Sequence, residues 1–153
     1  MIARIAVLCN VCQRQSVIEA GHFLSVAESC ARGDEAHCRT AVSRAYYAAY
    51  HDSRAWCSTN LREMGSATAT HGMHAIFQSE LAHPSKANSA EFQRQSLRRG
   101  LLLRNLYALR IRADYLLTED VSREDALQAI ADAALIVGIG APLQPAILRP
   151  GFT

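Results

Sequence analysis

The chain has almost none of the strict apolar/polar alternation that marks a strand, no apolar run of membrane-crossing length, no internal repeat and no low-complexity segment. The first lack leaves helix as the regular structure its periodicity supports. The second excludes a bilayer span, which needs about 20 consecutive apolar residues. The opening Met1 to Cys9 stretch is too short and too soon interrupted to read as a signal peptide. Cysteine is present but unmatched: Cys9, Cys12, Cys30, Cys38 and Cys57 are five at irregular spacing, which fits reduced thiols in a cytoplasmic protein better than a disulfide framework. Cys9-x-x-Cys12 has the spacing of half a zinc site, but no second Cys/His pair completes four ligands, so neither metal nor other cofactor is expected. His71-x-x-His74 lacks a third ligand and reads as a helix start.

Excess charge of one sign is also missing, since the net charge is +2. The balance is uneven along the chain, however. Between Glu91 and Arg112 stand Arg94, Arg98, Arg99, Arg104, Arg110 and Arg112 against one acid. Such a segment either attracts phosphate or forms a solvated helix face; Arg98, Arg99, Arg104 and Arg112 are the candidate RNA contacts.

With 153 residues, half of them hydrophobic, a single domain can bury roughly two thirds of its unfolded surface. The pattern predicts five helices. The first covers about 17–32, with Ser16 as N-cap and Gly33 as its end; the second runs from Asp34 and Glu35 to about Met64, before Gly65. The third, about His71 to Leu81, stops before Pro84. The fourth extends from about Ser89 to Leu117, bent near Gly100, with Leu102, Leu106, Leu109, Ala113 and Leu116 as its apolar ridge. Ser122-x-x-Asp125 resembles a capping box and opens a fifth helix that ends near Val137 against Gly138. The expected fold is all-α, an antiparallel bundle of four to five helices over 16–138, with an N-terminal extension (1–15) and a tail containing Pro and Gly (139–153).

The densest chemistry lies in Ala41-Val-Ser-Arg-Ala-Tyr-Tyr-Ala-Ala-Tyr-His51. At about 100° per residue, Arg44, Tyr47, His51 and Arg54 share one stripe, and Cys38, Val42, Ala45, Ala49 and Trp56 share the opposite one. The apolar stripe enters a core; the polar one is solvated, meets a partner or lines a site. On the fourth helix Leu103, Tyr107, Arg110 and Asp114 flank the ridge. Arg44 pairing with Asp114, covered by Tyr47 and Tyr107, is a structural reading of these residues. A catalytic reading instead places the Arg110 guanidinium and His51 imidazole in a common groove between helices.

Phe23-Leu24, the SRAYYA run just quoted, His71-Gly72 with Ile76-Phe77, and Leu106-Tyr-Ala-Leu-Arg-Ile-Arg-Ala-Asp-Tyr115 together resemble the small prokaryotic HEPN domains over about Phe23 to Val137. The resemblance implies a helical bundle that dimerises through its motif helices, often encoded beside a minimal nucleotidyltransferase in toxin–antitoxin or antiviral defence modules. It further implies, for catalytic members, a metal-independent ribonuclease with an Arg-x4-6-His motif. Here Arg110 matches the arginine, but Tyr115 stands where histidine is expected, and no histidine follows. A phenol, whose ordinary pKa is about 10, is a poor base at neutrality, so either His51 supplies the imidazole or Tyr115 acts as a positioned acid. The alternative is a non-catalytic module that binds a nucleotidyltransferase or an antitoxin. Some partner nucleotidyltransferases modify a tyrosine beyond the histidine; that position is Leu117 here, with Tyr115 a displaced substitute.

Overall fold

The computed structural model describes residues 18–60 and 74–138. Cys9, Cys12, Ser16, Gly65 and His71 lie outside the described residues, as do the expected N-terminal extension and C-terminal tail and the His74 side chain. The described chain forms an all-α antiparallel bundle of five helices: α1 (Ala20–Cys30), α2 (Glu35–Thr59), α3 (His74–Ala82), α4 (Ala90–Tyr115) and α5 (Arg123–Val137). No strand occurs among the described residues, and no helix there is long and apolar enough to cross a membrane.

Local signals set most helix starts. Asp34 caps α2 by accepting from the His37 amide at 3.1 Å, and Ser89 caps α4 by accepting from the Phe92 amide at 3.2 Å. Ser122 and Asp125 form the reciprocal capping box of α5: the Asp125 amide donates to Ser122 Oγ at 3.1 Å and the Ser122 amide to Asp125 Oδ2 at 3.0 Å. α2 ends at Thr59, short of Met64, because Thr59 Oγ1 and Asn60 Nδ2 both donate to the Trp56 carbonyl at 2.8 Å. These local bonds offer the backbone an alternative to another helical turn.

α2 is the central rod, packed against α1, α4 and α5. Small residues make that possible: Ala41, Ala45, Ala48 and Ala49 have no exposed surface, so neighbouring backbones come close. With Tyr46 also fully buried and Ser43 and Ser53 inside, α2 is covered nearly all round, not along one stripe. On α4 the core line is Phe92, Ser96, Arg99, Leu103, Leu106 and Ala113. It keeps Leu106 and Ala113 of the expected ridge, while Leu102 and Leu109 are only half-buried and Leu116 is exposed, because α4 packs against α2, α3 and α5 and not against a single neighbour. The helix passes Gly100 without interruption. Burial raises the Cys57 thiol pKa to about 12, so that sulfur stays protonated and packs as a small apolar group.

Candidate functional site

One cluster gathers side chains from α1, α2 and the end of α4. α2 carries Arg44, Tyr47 and His51 at helical spacing, and on α1 Phe23 receives Arg44 and His51. The Arg44 guanidinium sits 5.2 Å from the Tyr47 ring centre and 5.9 Å from that of Phe23. The His51 imidazole stacks on Phe23 at 5.3 Å and lies 6.2 Å from Tyr47.

From α4, Arg110 reaches the same tyrosine. Its Nη2 donates to the Tyr47 and Tyr115 hydroxyls, each at 3.2 Å, while its Nε lies 2.7 Å from Asp114 Oδ2 as an ion pair. Arg110 is 12% exposed along its side chain and Tyr115 is 62% exposed, so a sheltered cation backs an accessible phenol. Burial works to lower the Arg110 pKa, but Tyr47, Asp114 and Tyr115 outweigh it and raise the value, so the guanidinium remains charged. His51 moves the other way: burial first, and the Arg54 charge second, hold its pKa below the ordinary 6.5. A neutral imidazole at pH 7 follows.

Arg110 and His51 thus belong to one chain of contacts, His51–Tyr47–Arg110–Tyr115, in which the Tyr47 ring joins the two and no hydrogen bond links them directly. Arg44 does not pair with Asp114. That carboxylate is taken by Arg110 one helical turn away and by Ser43 Oγ at 3.4 Å, which leaves Arg44 on the aromatic rings with no acidic partner among the described residues. Tyr107 packs against Tyr46 at 5.9 Å and is not a cover for Arg44.

The arginine-rich stretch divides by position. Arg98 and Arg104 are exposed and form no ion pair among the described residues. Arg112 is tied to Asp125 at 2.6 Å, across to the start of α5. Arg99 cannot meet phosphate: it is 2% exposed, 2.6 Å from Asp52 and 5.0 Å from the Trp56 ring centre. It stands on the inner line of α4, three residues after Ser96 and four before Leu103.

Sequence reasoning gave no site role to three residues of consequence. Phe23 is the floor of the aromatic stack. Asp52 holds Arg99 and was hidden by its place next to His51. Arg39 donates to the carbonyls of Arg112 at 3.3 Å, Ala113 at 3.0 Å and Glu119, tying the end of α4, where the cluster sits, to the start of α2. Among the described residues no three His, Cys, Asp or Glu side chains converge as metal ligands.

No curated protein and no solved structure is significantly similar to the chain. A family model described as the HEPN domain matches residues 14–141. That match spans every described helix, including both motif helices that build the Arg110 cluster, and the chain belongs to the HEPN domain family.

Proposed function

We propose that this HEPN domain acts on RNA as a metal-independent endoribonuclease, as a cytoplasmic homodimer and a component of a toxin–antitoxin or antiviral defence system. The observation that carries the reading is the contact between Arg110 and Tyr115: a charged, sheltered guanidinium beside an exposed phenol, at the spacing where catalytic HEPN proteins place histidine. Arg110, with Arg44, holds the scissile phosphate and stabilises the charge that builds on the phosphorane. The 2′-hydroxyl attacks phosphorus and its proton passes to neutral His51. As the bond from phosphorus to the 5′-oxygen breaks, Tyr115 gives its phenolic proton to the departing oxygen. The products are a 2′,3′-cyclic phosphate and a 5′-hydroxyl, and solvent returns the proton from His51 to Tyr115.

Cleavage of a single-stranded RNA by the purified chain tests this. Arg110→Ala should slow it about 10²–10³-fold, and Tyr115→Phe by roughly 10²-fold through loss of the acid. The acidic limb of kcat/KM should fall below pH 6.5, since His51 must be unprotonated and its pKa is depressed, and His51→Ala should abolish that limb. Equal cleavage by wild type and all variants would mean a contaminating nuclease. The non-catalytic reading, a scaffold for a nucleotidyltransferase or antitoxin, draws support from the way Asp114, Tyr47 and Tyr115 already occupy Arg110. A scaffold of that kind shows no steep loss of RNA affinity with salt, whereas phosphate contacts by Arg44, Arg98 and Arg104 release counterions and give such a slope.

The homodimer rests on α4. Leu97 and Leu101, 41% and 47% exposed and four residues apart, put an apolar strip on its outer face. Leu101→Glu should convert a dimer to a monomer by light scattering; an unchanged mass places the interface elsewhere.

A further inference from the structure

Next to the Arg110 cluster, between the start of α1, the second half of α2 and the last residue of α5, is a cleft of about 720 Å³ lined by Ile18, Glu19, Phe23, His51, Asp52 and Ala55. Its size is that of small-molecule sites, roughly 300–1,000 Å³. We infer that it receives the base of the nucleotide whose 3′-phosphate rests on Arg44 and Arg110, and that it prefers guanine to uracil. The inference rests on the RNA reading for the phosphate; the base site stands on the cleft itself.

Two features of the cleft suit a base and not a phosphate. The first is the aromatic wall: Phe23 and His51, stacked on each other at 5.3 Å, both border the cleft, and a flat ring can extend their stack. The second is charge. Glu19 and Asp52 face the cleft while the cations Arg44 and Arg110 stand on the Tyr47 side, so a phosphate is repelled from one region and drawn to the other. The Phe23 ring belongs to both, 5.9 Å from the Arg44 guanidinium and on the cleft wall, so a single nucleotide can bridge them.

Asp52 supplies the choice of base. Its Oδ2 lies 2.6 Å from Nη1 of Arg99, a side chain only 2% exposed, and its own side chain keeps 24% exposure. The buried guanidinium fixes the carboxylate in place, with acceptor capacity left for a ligand. Guanine presents N1–H and N2–H side by side, two donors that a carboxylate can accept together. Uracil presents a single N3–H flanked by two carbonyl oxygens, which the carboxylate repels. His51, on the cleft rim, then lies toward the ribose of the seated nucleotide, as a base for the 2′-hydroxyl requires.

Calorimetric titration of the full chain with 3′-GMP, 3′-UMP and inorganic phosphate at low salt is the test. Wild type should bind 3′-GMP roughly tenfold more tightly than 3′-UMP, the scale of discrimination a paired hydrogen bond gives. Ala55→Leu fills the cleft from an exposed position of α2 while leaving the Asp52–Arg99 pair unsubstituted, and should bring 3′-GMP down to the level of 3′-UMP. Phe23→Leu, which removes the stack at similar volume, should weaken both nucleotides but not inorganic phosphate. Equal affinity for the two nucleotides in wild type, or an undiminished preference in Ala55→Leu, overturns the inference. The nuclease reading fails separately: a guanine preference that Ala55→Leu removes, in a protein that cleaves no RNA, leaves the cleft standing without it. Cleavage that depends on Arg110 but not on the base leaves the nuclease standing without the cleft.

Discussion

Asp52→Ala is expected to destabilise the domain by about 3–5 kcal/mol, the cost typical of breaking one side of a buried ion pair. Arg99 is 2% exposed, its Nη1 lies 2.6 Å from Asp52 and 3.4 Å from Ser53 Oγ, and its Nε has no hydrogen-bond partner. Guanidinium does not lose its proton in proteins, so an abandoned Arg99 cannot escape by neutralising. The Ser53 contact is long, and the Trp56 ring beneath the cation at 5.0 Å replaces only part of the lost attraction. Denaturant unfolding measures the loss. The double variant Asp52→Ala with Arg99→Met should recover most of it, because an apolar side chain of similar length needs no counter-charge. A single variant within about 1 kcal/mol of wild type would show that water reaches Arg99 and that the pair is not what anchors α4 to α2.

The same pair marks where the sequence stopped being informative. Each of α2, α4 and α5 begins at a capping side chain that is visible in the sequence, because a cap is a contact over three residues. The end of α2 was less visible, since Thr59 and Asn60 compete for a carbonyl in a way that composition does not announce. Burial of charge was hidden altogether: Arg99 and Arg98 are adjacent arginines, and only the facing Asp52, 47 positions earlier, decides that one is core and the other surface. At the candidate site, Tyr47 with His51 was legible because i, i+4 neighbours meet on a helix whatever surrounds it, whereas Arg110 meets Tyr115 five residues on because its long side chain reaches a phenol at the last residue of α4. Arg44 opposite Asp114 failed as a pairing because it required knowing how α2 and α4 are rotated, and Arg110 was already one turn from the same carboxylate. Phe23 could be placed in the family motif but not above His51, since that contact depends on how α1 crosses α2.

Gly100→Ala should lower stability by about 2–3 kcal/mol, against what helix propensity alone dictates. In the interior of a 26-residue helix, alanine is favoured over glycine by roughly 1 kcal/mol. A Cβ at this position, however, would stand 2.5 Å from the Ala82 amide nitrogen and 2.8 Å from its Cα, both of them backbone atoms. Nearby, Ser96 Oγ donates to the Leu81 carbonyl at 2.8 Å and the Leu81 side chain is fully buried, so the end of α3 is fastened to α4 and cannot step back without losing both. Overpacking typically costs about 1–3 kcal/mol and occasionally more; against rigid backbone atoms this close, about 3–4 kcal/mol is expected, which leaves a net loss of about 2–3 kcal/mol after the propensity gain. The glycine therefore serves close approach of two helices and not a bend, in keeping with the uninterrupted course of α4. At about 2–4 °C per kcal/mol for a chain of this size, a melting temperature lower by roughly 4–12 °C is expected. A variant that melts higher than wild type would mean that α3 yields to the methyl group, and that the contact at Ala82 is not what holds α3 in place.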